Sequence, residues 1–159
     1  MERTSQTLWG GDPSVLEAMR RAGWTEGRCF DSSIWVEMLE RAGFVLNPLA
    51  LQIWEELGGL TIASSENRIP ASSLYVEPVD ACIDSFEESV KLSERFGENF
   101  SPLGMWSIQF RSYVSASGKV VAVGPRVLWE LGSRFSDALA YIVNGDGGGS
   151  RARQADWLA

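Results

Sequence analysis

Two carboxylate doublets, Glu55-Glu56 and Glu87-Glu88, are the first places to look for acid–base chemistry. Neighbouring residues on a helix point in different directions, so neither doublet is a ready-made dyad, and solvated faces account for both. Cys29 follows Arg28, and a nearby cation lowers a thiol pKa. The chain has no histidine, however, and so lacks the usual activator of a thiol or hydroxyl, the usual general base and the commonest metal ligand. Cys29 and Cys82 are far apart and have no metal spacing; both read as free thiols. Gly145-Asp-Gly-Gly-Gly-Ser is glycine-rich, but it follows a helical pattern and carries no lysine, so a phosphate loop is not indicated. No catalytic residue, metal or cofactor is expected.

The stretch between residues 77 and 98 fits binding better than chemistry. It carries Glu77, Asp80, Asp84, Glu87, Glu88, Glu94 and Glu98 against Lys91 and Arg95. Such a stretch is either the solvated face of an amphipathic helix or a surface that steers a cationic partner. Glu77, Asp80, Asp84, Glu87 and Glu88 are the candidate partner-binding acids. Trp24, just after a glycine helix stop, is a candidate groove residue if its ring is exposed, and a core residue otherwise.

The elements that must position these residues follow from caps and periodicity. Asp12, Pro13 and Gly23 bracket one helix. Asp31 or Ser32 opens a second, with Trp35, Met38, Leu39 and Ala42 on one face and Gly43 at its end. Asn47-Pro48 opens a third, with Leu49, Ile53, Trp54 and Leu57 on a face and Gly58-Gly59 closing it. Residues 60–63 and 74–76 read as short strands. Residues 79–97 read as one helix with an apolar stripe of Ile83, Phe86 and Val90. Residues 105–110, 111–116 and 119–123 read as strands, the last two joined by a tight turn at Ser117-Gly118, and 127–131 reads as a further strand. A final helix carries Phe135, Ala138, Leu139 and Ile142 and stops at Gly145. Segregated runs of helices and strands predict an α+β domain: short N-terminal helices, a mostly antiparallel sheet and helices packed on it. The domain spans residues 1–145, and residues 146–159 read as a flexible C-terminal tail, with Trp157-Leu158 either loose or docked.

Composition agrees. The 159 residues fit one domain, and 45% apolar content is too high for disorder. A net charge of −7 disfavours nucleic acid and anionic membranes and suits a basic protein surface. No apolar run nears the ~20 residues needed to span a bilayer, and the N-terminus lacks a signal peptide's apolar stretch, so a cytoplasmic protein is expected.

Several blocks, in order, resemble the SUKH superfamily in its third group of immunity proteins. These are Arg21-Ala-Gly-Trp24 with Gly27-Arg28, then Trp35 and Leu39 with Gly43, then Leu57-Gly-Gly-Leu60. Ser101-Pro-Leu-Gly104, Ser117-Gly-Lys-Val120, and Leu131-Gly132 with Ala138-Leu139 continue the match across about residues 16–145. Ser117 stands where many relatives have an acidic residue, and the glycine-rich tail lies outside the pattern. The resemblance implies a non-enzymatic bacterial antidote that binds and occludes a cognate toxin domain, with no cofactor. It does not identify the toxin. A general protein-binding adaptor on the same fold is the alternative reading; a carboxylate-dependent enzyme is disfavoured by the missing histidine and dyad.

Overall fold

The computed structural model describes residues 6–145 and 151–158. Helices α1 (Gln6–Trp9), α2 (Pro13–Ala22), α3 (Ser33–Arg41) and α4 (Pro48–Leu57) precede strands β1 (Thr61–Ala63) and β2 (Ser73–Tyr75). Helices α5 (Pro78–Cys82) and α6 (Phe86–Phe96) lead into β3 (Phe100–Trp106), β4 (Phe110–Ser115), β5 (Val120–Gly124) and β6 (Val127–Gly132). Helix α7 (Phe135–Asn144) and strand β7 (Ala152–Gln154) follow, and Asp156–Leu158 forms a short 3-10 turn. The strands make one seven-stranded sheet in sequence order, and each neighbouring pair is antiparallel.

The N-terminal helices form where their caps dictate. Asp12 accepts from the Ser14 amide at 2.9 Å and Pro13 takes the first helical position. Asn47 accepts from the Ala50 amide at 2.9 Å, and its amide group donates to Val114 O at 3.0 Å, so one buried side chain starts α4 and ties it to the sheet. Asp31 accepts from the Ser33 amide while Ser32 makes no side-chain cap, which settles which of the two opens α3. At the far end of α4, Arg28 donates to Glu56 O at 3.0 Å and Gly58 O at 2.8 Å. The glycine–arginine and double-glycine blocks therefore meet in space: the guanidinium satisfies carbonyls that the end of a helix leaves open.

The sheet is buried on both faces. Val120 and Ala122 enter the larger core with α1, α2, α4 and α7; Val121 and Val123 enter a smaller core with Cys82, Leu92, Phe100, Tyr113, Leu128 and Ala155. This two-sided burial explains the unbroken apolar run of β5. The expected hairpin is present, with Tyr113 opposite Val121 and Val114 opposite Val120.

Four expectations need correction. The helix read over 79–97 is two helices, α5 and α6. The Ser85 amide donates to Cys82 O at 2.9 Å, so a turn at Ser85 ends α5 and redirects the chain. The stripe of Ile83, Phe86 and Val90 is consequently not the buried face: α6 buries Ser89 and Leu92 instead, and Phe86 is 36% exposed. The strand read over 105–110 lies earlier, at β3, and Ser107 and Ile108 turn with positive φ. Pro102 and Gly104 hide that strand in the sequence; both sit at a register shift opposite β4, and a Cβ on Gly104 would lie 1.9 Å from Tyr75 O. Finally, the tail reading fails for residues 151–158. Ala152–Gln154 pairs with β6, Ala155 is fully buried, and Trp157 sits edge-on to Phe96 with ring centroids 6.4 Å apart. Edge pairing and an apolar seat replace the disorder that the glycine content suggested. Residues 146–150, on which the rest of that expectation falls, lie outside the described residues.

Candidate functional site

The acidic segment curls around a cleft of about 690 Å³ between the α5–α6 junction and the second face of the sheet. Its wall includes Ala81, Ile83, Asp84, Phe86, Glu87, Glu88, Lys91, Arg111 and Leu158. The five candidate acids are near one another in the chain, yet the structure gives them different jobs.

Glu88 is not a free charge. Arg111 Nε and Nη2 donate to its two carboxylate oxygens, each at 2.7 Å, and the Tyr113 hydroxyl donates to Oε1 at 2.6 Å. The Glu88 side chain is 13% exposed and that of Arg111 38%. Such a forked pair fixes geometry as well as charge, here locking the first turn of α6 onto β4. Tyr113 lies a further 2.6 Å from Ser85 Oγ, so the network reaches the turn that separates the two helices. The hydrogen bonds to Glu88 push Arg111 further above its ordinary value against the opposing effect of burial. Burial raises Tyr113 well above its ordinary range and pushes the Cys82 thiol up to about 12. Both stay neutral at physiological pH, and Cys82 is a structural thiol rather than a nucleophile.

Glu77 is a cap. Its carboxylate accepts from the Val79 amide at 2.8 Å and the Asp80 amide at 3.1 Å. Burial raises its pKa, outweighing those two amides, which favour the ionised form. Asp80, Asp84 and Glu87 are exposed, and none of them joins an ion pair among the described residues. Asp84 and Glu87 line the cleft with the partly exposed ring of Phe86, which packs edge-on to Phe44 with centroids 5.5 Å apart, whereas Asp80, on α5, is not part of that wall. The adjacent α3 leaves Ile34 and Met38 exposed one helical turn apart.

Trp24 does not belong to any such surface. It is 3% exposed and lies in the larger core. Gly23 adopts φ 115° and its amide bonds Arg20 O, while the Trp24 amide bonds Met19 O. This left-handed stop folds the chain back over the helix and drives the ring inward. The groove reading of Trp24 is withdrawn on that geometry.

Sequence reading missed Arg111, Tyr113, Ser85, Phe86 and Leu158 as parts of the site. Only Arg111 left a trace, as the one charge in an otherwise uncharged β4. Its partner is 23 residues away and no local pattern links them.

Among the described residues, no three His, Cys, Asp or Glu side chains are grouped to hold a metal ion, and no helix is long and apolar enough to cross a membrane. Neither the curated proteins nor the solved structures give a match to the chain. One family model does match, that of the SUKH-3 immunity protein, over residues 11–145. The matched region runs from the cap of α2 to the glycine that closes α7, taking in six of the seven strands and the acidic cleft apart from Leu158. The chain belongs to the SUKH-3 immunity protein family.

Proposed function

We propose that this protein neutralises a cognate bacterial toxin domain by stoichiometric occlusion in the cytoplasm of the producing cell or its kin, without catalysis. Family membership supports the class of partner. The observation that carries the choice of face is the pair of exposed acids Asp84 and Glu87 in one cleft wall with the partly exposed Phe86, mounted on a helix start locked by Glu88 and Arg111, with Asp80 exposed on the preceding α5. Three exposed carboxylates that join no ion pair among the described residues attract a basic surface and raise the rate of encounter, and the aromatic ring beside Asp84 and Glu87 supplies contact area once encounter has occurred. A rigid mount keeps the entropic cost of docking low. Free thiols at exposed Cys29 and buried Cys82 fit a reducing compartment.

The test is co-expression with the cognate toxin domain, sought among the genes beside this one. Growth of the toxin-expressing cells is restored, and the two proteins co-elute in a fixed ratio. Persistent toxicity with excess soluble protein and separate elution contradict the reading.

A further inference from the structure

The C-terminal segment is attached at the sheet edge, through three residue pairs between β6 and β7 and through the Arg151 guanidinium, which donates to Leu131 O at 3.0 Å and lies 4.1 Å from the centroid of the Tyr141 ring. All three residues of β7 are exposed. The Ala155 amide donates to Arg126 O at 2.7 Å, and the Glu130 amide donates to Arg151 O at 3.0 Å. Arg153 pairs with Glu130 at 2.6 Å through a largely exposed side chain. Beyond β7, fully buried Ala155 fills a place in the smaller core, and the Trp157 ring lies between Phe96 and the Arg95 guanidinium, which is 5.2 Å from its centroid. Leu158, the last described residue, then becomes part of the wall of the acidic cleft, on the same surface as Asp84, Glu87 and Arg111.

We propose that residues 151–158 are a strap that undocks from the folded domain, and that its docked form completes the α5–α6 cleft, so that partner binding and strap docking reinforce each other. The coupling rests on the reading of that cleft as the partner site. A three-residue edge strand whose residues are all exposed opens locally at lower cost than the sheet behind it. Undocking uncovers Leu128 and Phe96, which keeps the docked form dominant. It also removes the Leu158 wall. A partner that touches this wall binds the docked form more tightly, and by linkage it must hold the strap down by the same factor.

Amide hydrogen exchange of the full-length protein, followed as urea is raised, tests the first half. The Glu130 and Ala155 amides should exchange at least tenfold faster than those at the centre of β4 and β5, with little dependence on urea. Trp157→Ala should speed them at least fivefold further and leave the β4 and β5 amides unchanged. Strap amides that share the rate and urea dependence of β4 and β5 would show an integral strand and overturn the proposal. The second half is read in the complex with the cognate toxin domain. Exchange at Ala155 should slow at least fivefold on binding, and Trp157→Ala should weaken binding at least threefold. A complex that is sensitive to Asp84→Asn and Glu87→Gln but leaves Ala155 exchange unchanged overturns the coupling alone. A complex indifferent to those two substitutions overturns the cleft as the partner site, whatever the strap does.

Discussion

Carboxylates a few residues apart on one acidic segment differ in what they can contribute, because their neighbours differ. Glu88→Gln keeps the shape but removes the charge and replaces one of the two acceptor oxygens with a donor, so Arg111 and Tyr113 can no longer both be satisfied as before, at a cost of about 1–3 kcal/mol. Asp84→Asn and Glu87→Gln should stay within about 0.5 kcal/mol of the parent, since both acids are exposed and outside ion pairs. Urea unfolding of the three variants separates the locked acid from the exposed ones. The buried thiol makes a separate statement about pH. Cys82 titrates near 9.0 when exposed and at about 12 in the fold, so the folded protein holds that proton more tightly. Its contribution to stability is complete below pH 9.0 and is lost as pH rises from there to about 12. Tyr113, raised in the same way, adds to the alkaline loss above its ordinary value of 10.0. Unfolding curves at rising pH should therefore show a steep alkaline decline, and Cys82→Ala should flatten its early part.

At the level of elements, the features visible in the sequence are those decided within a few residues. The caps at Asp12 and Asn47, the proline that follows each, and the Ser117-Gly118 turn are local, and each appears where its spacing predicts. What stayed hidden depends on chain brought from elsewhere. The break between α5 and α6 needs Tyr113 beneath Ser85, and β3 carries a proline and a glycine that look like loop residues until β2 and β4 are placed beside them. Local sequence favours a core place for Trp24 but leaves a groove place open, and the left-handed stop at Gly23 turns it inward. Two substitutions test the long-range part. Gly104→Ala sets a methyl against Tyr75 O at a positive-φ position and should cost on the order of 3 kcal/mol. Asn47→Ala removes the α4 cap and leaves Val114 O without that donor, for about 2 kcal/mol. Thermal unfolding reads both, and a loss at Asn47 no larger than an ordinary exposed cap would show that its link to β4 contributes nothing.

For the molecule as a whole, a sheet buried on both faces and pinned by long-range polar contacts gives a rigid body with one acidic, partly aromatic edge. The net charge of −7 favours approach of a basic partner from any side, but the local arrangement favours the α5–α6 cleft as the place of contact. Long-range attraction between exposed charges weakens as salt screens them, over a distance of about 8 Å at physiological ionic strength. The most direct measurement is the stopped-flow association rate with the cognate toxin domain, taken across ionic strength for the parent protein and for the Asp80→Asn/Asp84→Asn/Glu87→Gln triple variant. The expected result is a parent rate that falls steeply with salt. The variant should unfold like the parent, associate about tenfold more slowly at low salt and show a shallower salt dependence. A well-folded triple variant that associates at the parent rate at low salt would contradict the assignment of this face.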